Sequence, residues 1–157
     1  EIAEDPRTHQ RRMKIKSLGK FDLLPVSTQK VLTEAEYATK DYDNFHLNIA
    51  IGYGGRQEIA DALRELILSE ELKGKTIDEI AARITPEAIG EHLYTVDLPD
   101  PELIIRTSGE TRLSGFLLWQ SAYSEYYFCD AFWPAFREID FLRAIRSYQQ
   151  RRRRFGL

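Results

Sequence analysis

Between Arg106 and Ser114 the chain reads Arg-Thr-Ser-Gly-Glu-Thr-Arg-Leu-Ser. Two guanidinium groups, the hydroxyls of Thr107, Ser108, Thr111 and Ser114, and Gly109 share this one polar stretch. Arginine forks match the oxygens of phosphates two at a time. A glycine lets backbone turn tightly and come close to a ligand. The pattern fits an anion site, and it fits equally a surface loop in which Glu110 forms a structural salt bridge with an arginine. Further on, Glu125 stands among Tyr123, Ser124, Tyr126 and Tyr127. A carboxylate there offers oxygen to a hard cation such as Mg²⁺, which shares its ligands with substrate phosphates, or it pairs with an arginine.

Other chemistry-bearing residues point elsewhere. His9, His46 and His92 are scattered and lack metal-ligand spacing. Cys129 has no histidine motif nearby and reads as a packed residue rather than a nucleophile. Trp119, Trp133, Phe116, Leu117 and Leu118 read as core or interface. Arg151 to Arg154 followed by Phe155 and Gly156 closes the last helix, where cations and a following glycine are at home.

The chain that must position these residues has 157 residues, enough for one domain with a real core, taken here as 1–157. A net charge of −3 gives no sign of a general nucleic-acid binder. The single cysteine rules out an internal disulfide and makes a reducing, cytoplasmic setting the default. No apolar run has the length of a membrane span, and no signal peptide is visible. The opening at Glu1 rather than Met suggests a fragment or a processed chain.

Met13 to Leu18 alternates and predicts a strand ending at Gly19. Pro25 to Lys40 predicts a helix, with Pro25 in its first turn and Val31, Ala35 and Ala38 on one face. Phe45 to Tyr53 predicts a strand that runs through Gly54-Gly55 into a helix. That helix has an apolar stripe of Ile59, Leu63, Leu66 and Ile67, with Arg56, Glu58, Asp61, Arg64 and Glu65 facing water. The glycine pair is structural or serves a ligand at the helix start. Thr76 to Glu79 is a capping box, and Thr85-Pro86 opens another short helix. Leu103 to Ile105 reads as a buried strand ending in Arg106, Ser114 to Tyr123 as a helix, and Glu125 to Phe128 as a strand. The last helix runs from about Glu138 to Arg153, with Phe141, Ala144, Ile145 and Tyr148 on its buried side. Strands alternating with helices define an α/β chain with a mostly parallel sheet, whose ligand edge lies where Tyr53 and Arg106 emerge.

These blocks together resemble a known family. Arg106-Thr107-Ser108-Gly109-Glu110, Arg112-Leu113-Ser114, Phe116-Leu117-Leu118-Trp119-Gln120 and Glu125-Tyr126-Tyr127-Phe128 are similar, in order, to the signature region of the cis-prenyltransferases, the undecaprenyl diphosphate synthase family. Leu47-Asn48-Ile49-Ala50 followed by Tyr53-Gly54-Gly55-Arg56 resembles another family block, and Arg154-Phe155-Gly156 resembles its closing Arg-x-Gly motif.

The resemblance implies the family fold, a mostly parallel sheet with helices on both faces, here without its N-terminal part. It implies an enzyme that condenses isopentenyl diphosphate with an allylic diphosphate to make a Z double bond, with Mg²⁺. Arg106, Arg112 and Ser114 would then hold the diphosphate of isopentenyl diphosphate, with the Leu113 backbone in the same loop and Glu110 orienting the arginines. Glu125 would belong to the metal site. Arg154 and Gly156 would cross a homodimer and complete the partner's diphosphate site, and a lipid product could draw the enzyme to a membrane surface. The family's early Asp-Gly-Asn-Gly-Arg-type loop and its later Ser-x-Glu-Asn-type segment are absent from the sequence. The chain is therefore expected to hold no catalytic residue and to be inactive by itself. Gly115 stands where many members have asparagine. The rival reading is a non-catalytic partner subunit of a heteromeric cis-prenyltransferase; two phosphate-facing arginines favour the enzyme.

Overall fold

Two pairs of parallel strands carry the chain's elements in a computed structural model that describes residues 2–150. The chain resolves into two compact units, 1–96 and 97–157, and each is described by itself.

The first unit begins with the short helix α1 (Pro6–Gln10) and β1 (Met13–Leu18), whose bounds are those the alternation predicts. β1 pairs in parallel with β2 (Phe45–Ala50), Met13 opposite Phe45 and Leu18 opposite Ala50. Between them runs α2 (Val26–Thr39). Two α2 side chains reach backbone donors of β1: Thr39 Oγ1 accepts from the Ile15 N–H at 3.0 Å, and Glu36 Oε1 from the Ser17 N–H at 2.6 Å. Side-chain acceptors thus satisfy donors that the strand pair does not use.

α2 departs from its predicted face. Val31 is exposed and so is Ala38, whereas Leu32 and Thr39 are buried, one position round from the expected stripe. Pro25 serves as N-cap residue rather than as first helical residue.

β2 stops at Ala50, not Tyr53. The chain takes φ +61° at Gly52, which no strand tolerates. Gly19, just past β1, lies against this turn: a Cβ there would sit 2.2 Å from the Ile51 carbonyl oxygen. Only glycine permits that approach.

α3 (Gly55–Leu68) follows, then α4 (Ile77–Arg83) and α5 (Pro86–Gly90). Thr76 and Glu79 form the predicted capping box, and Thr85 caps α5 ahead of Pro86. Ile15, Leu18, Leu32, Ala62, Leu66, Leu72 and Leu93 form the apolar core of this unit.

In the second unit β3 (Leu103–Arg106) pairs in parallel with β4 (Glu125–Phe128), Leu103 opposite Glu125 and Arg106 opposite Phe128. Parallel strands need a long crossover, and residues 107–124 supply it. The helix predicted over Ser114 to Tyr123 does not form; this stretch is a series of turns. Ser114 (φ +51°), Gly115 (φ +84°) and Leu117 (φ +45°) are left-handed, incompatible with a right-handed helix. The turns are pinned by the Ser121 N–H donating to the Leu117 carbonyl at 2.9 Å and the Tyr126 hydroxyl donating to the Ser121 carbonyl at 2.8 Å.

α6 (Glu138–Gln150) packs on β4 with Ala144 fully buried. Phe141, expected inside, is exposed in this unit, while Asp140 takes a buried position. Asp140 accepts from the Arg137 N–H and side chain at the helix start, which lets a carboxylate lie inward. The part of this helix predicted beyond Gln150 lies outside the described residues.

Candidate active site

The Arg106 loop is built by strand pairing that outlasts the strands. The Cys129 N–H donates to the Arg106 carbonyl at 2.8 Å, the Gly109 N–H to the Cys129 carbonyl at 3.0 Å, and the Ser108 N–H to the Ala131 carbonyl at 2.9 Å. Ser108 (φ +77°) and Gly109 (φ +69°) turn the chain at that point. The loop leaves the carboxyl end of β3, where open α/β sheets place their ligands.

From there the chain folds back so that both arginines meet one hydroxyl. Arg106 Nη1 donates to Ser114 Oγ at 3.1 Å and to the carbonyl oxygen of Arg112. Arg112 Nε donates to the same Ser114 Oγ at 3.1 Å, and its Nη1 pairs with Glu110 Oε2. The anion-site and salt-bridge readings therefore describe the same residues. Arg106 is half-buried, Arg112 and Ser114 are exposed, and Leu113 is half-buried between them.

The left-handed turn is what makes Ser114 the meeting point. It also accounts for Gly115: asparagine and glycine are the residues that tolerate a positive φ most readily, so exchanging one for the other at this position keeps the turn.

Glu125 is not brought to this cluster. It lies opposite Leu103 and its N–H donates to the Glu102 carbonyl at 2.9 Å. Arg106 lies at the other end of the strand pair, roughly 10 Å along at about 3.3 Å per residue. Among the described residues no group of three or more His, Cys, Asp or Glu side chains could hold a metal ion. Glu125 stands as a single carboxylate rather than in a cluster of described donors. Arg154 and Gly156 lie outside the described residues.

A cavity of about 710 Å³ opens at the carboxyl end of β4, lined among others by Cys129, Asp130, Phe136, Arg137, Asp140 and Arg143. Its arginines are engaged: Arg137 Nε lies 3.2 Å and Arg143 Nη1 3.4 Å from Asp140 carboxylate oxygens. Hydrogen bonds from Arg137 hold the Asp140 carboxyl below the usual range.

Sequence periodicity missed the polar hub of the first unit. Glu58, expected in water, is fully buried on α3. Its Oε2 accepts from the Tyr53 hydroxyl at 2.5 Å and its Oε1 from the Tyr94 N–H at 3.0 Å. One turn on, Asp61 accepts from the Tyr94 hydroxyl at 2.7 Å and Gln57 at 2.9 Å, and pairs with Lys20 at 3.0 Å and Arg64 at 2.7 Å. Burial pushes the Asp61 carboxyl up, but hydrogen bonds from Tyr94, Lys20 and Gln57 outweigh it and bring the pKa down to about 2. Burial and Asp61 together hold the Tyr94 hydroxyl above its ordinary value. The partners converge from Lys20, Tyr53 and Tyr94, so no local pattern announces them.

A short parallel strand ending in Arg106, with Arg112 folded back onto the same Ser114 hydroxyl, belongs to an α/β chain with two guanidiniums gathered at a strand terminus. Comparison with known proteins narrows this. A family model described as undecaprenyl diphosphate synthase matches residues 1–156, and the chain belongs to that family, the cis-prenyltransferases. It is 52% identical over 156 residues to an isoprenyl transferase of Deinococcus radiodurans, covering 99% of this chain and 57% of that protein. It is 59% identical over 143 residues to a (2Z,6E)-farnesyl diphosphate synthase of Thermobifida fusca, covering 91% of this chain and 56% of that protein. Lavandulyl diphosphate synthase from Lavandula x intermedia, crystallised in complex with dimethylallyl diphosphate, superposes with a TM-score of 0.86 at 32% identity, over 99% of this chain and 64% of that one. The chain thus spans rather more than half the length of the curated relatives it matches.

Proposed function

We propose that the protein carrying this chain condenses isopentenyl diphosphate with an allylic diphosphate to form a Z double bond, and that the Arg106–Ser114 loop holds the diphosphate of isopentenyl diphosphate. The observation that carries this reading is the convergence of Arg106 and Arg112 on Ser114 at the carboxyl end of β3. With two N–H donors on its oxygen, the Ser114 hydroxyl has its lone pairs engaged. Its proton is the group left to donate, and a phosphate oxygen beside the two guanidiniums is the acceptor it suits. Cationic donors of this kind stabilise negative charge. Leu113 offers backbone in the same loop, and Glu110 pairs with Arg112 there.

Binding, not bond-making, is the part proposed for these residues; none of them is assigned a catalytic role. Members of the family generally depend on Mg²⁺. In this reading Glu125 is the described carboxylate that would help hold the ion beside the substrate phosphates. The ion would neutralise diphosphate charge. We propose a homodimer, in which Arg154 and Gly156 reach the partner's diphosphate site. The exposed Phe132 and Trp133 suit an apolar interface. No helix among the described residues is long and apolar enough to cross a membrane. A cytoplasmic enzyme touching the bilayer only through its lipid product is the proposed setting.

The test is incorporation of labelled isopentenyl diphosphate onto allylic primers by the full-length protein and by its Arg106→Ala variant. Incorporation that falls sharply with Arg106→Ala, chiefly through a raised KM for isopentenyl diphosphate, supports the reading. Full-length protein that is inactive with every primer ends it.

A further inference from the structure

The geometry points to Glu110 as an internal competitor for the diphosphate: its carboxylate occupies a guanidinium donor that the ligand needs, and its return to Arg112 favours ligand release. This rests on the diphosphate reading given above. Within the loop the two guanidiniums face three oxygens, the Glu110 carboxylate, Ser114 Oγ and the Arg112 carbonyl. The loop is therefore closed upon itself. Two of those oxygens are neutral, and Glu110 alone of the three carries the charge that a phosphate would bring.

The Arg112–Glu110 pair is well placed to exchange. The side chains of Arg112 and Glu110 are 63% and 40% exposed. An ion pair so open to water is weak and is readily displaced. A diphosphate, with more charge and more oxygens, wins the contact with Arg112 and moves Glu110 aside. When the diphosphate departs, the carboxylate takes its place and keeps the arginine paired. Glu110 then shortens the residence of any diphosphate in the loop, at some expense in affinity.

Asp130 provides the control. It is an exposed carboxylate beside the same loop, its Oδ1 3.5 Å from where a Cβ on Gly109 would sit, and it makes no described ion pair with either arginine. A general field effect of nearby negative charge acts through Asp130 as well as through Glu110. A contact that competes for Arg112 acts through Glu110 alone.

The experiment titrates inorganic pyrophosphate into the protein and into Arg112→Ala, Glu110→Gln and Asp130→Asn, by calorimetry with dissociation rates from stopped flow. The expected result is binding by the parent protein, binding weakened about tenfold or more by Arg112→Ala, and Glu110→Gln binding about two- to fivefold tighter with slower dissociation. Asp130→Asn should change little. If the parent binds and Arg112→Ala loses binding, but Glu110→Gln is unchanged or weaker, Glu110 is not a competitor and the diphosphate reading stands. Equal tightening by Asp130→Asn also overturns the contact mechanism. A parent protein that does not bind pyrophosphate overturns the diphosphate reading, and the inference about Glu110 falls with it.

Discussion

Replacing Glu58 by alanine should destabilise the protein severely, although the residue reads as a surface glutamate on α3. Its side chain is fully buried and accepts from the Tyr53 hydroxyl and the Tyr94 N–H. Alanine removes the acceptor from both donors. Stranding a buried donor costs about 1–3 kcal/mol, so the pair loses roughly 3 kcal/mol before any cavity is counted. In a chain of this size 1 kcal/mol moves Tm by roughly 2–4 °C, so a fall of about 6–12 °C is expected. Glu58→Gln keeps a carbonyl oxygen for one donor and should fall between alanine and the parent. Thermal unfolding followed by circular dichroism measures all three. A Glu58→Ala protein melting within about 2 °C of the parent would show that the buried hub does not hold the first unit together.

Ser114→Ala removes the shared acceptor of Arg106 and Arg112 and should weaken pyrophosphate binding about 10-fold or more, one charge-assisted hydrogen bond being the loss, while Ser114→Thr keeps the hydroxyl and recovers most of it; calorimetry decides, and equal loss in both variants would count against the hydroxyl. Asp61 has a folded pKa of about 2, below the ordinary 3.8. Its stabilisation is therefore fully present above about pH 4 and is lost as pH falls toward 2, on the order of 1 kcal/mol after allowance for solvent. Urea unfolding of the parent and of Asp61→Asn should converge across that window, and a difference that does not shrink as pH falls toward 2 contradicts the assignment. Gly115→Asn should keep the left-handed turn and cost under about 1 kcal/mol, whereas Gly115→Val should cost about 2 kcal/mol and loosen the arginine pair; equal urea midpoints for the two variants would refute the role given to the turn.

What could be read in advance followed from local rules. β1 was legible because alternation has a period that only a strand shares, and β4 lay in a short aromatic run bounded by polar turns. The Thr76 and Thr85 caps were legible because capping is a contact between residues three apart. The sequence resemblance also singled out Arg106, Arg112 and Ser114, and the structure brings those three together.

Other features depended on partners that no window along the chain contains. Ser114 to Tyr123 has the apolar content of a helix, yet positive φ at Ser114, Gly115 and Leu117 follows from closing the loop onto Arg106. α2 turned one position from its predicted stripe because Thr39 and Glu36 were drawn to the backbone of β1.

Sequence by itself determined β1, β4, the Thr76 and Thr85 caps and the group of residues able to meet an anion, since these depend on neighbours a few positions away. Tertiary structure alone decided that Glu58 lies inside, that Glu125 stands at the far end of the strand pair from Arg106, and that one hydroxyl receives both arginines. Burial and convergence are relations between distant segments, and the chain acquires them only when parallel pairing fixes which residues face each other.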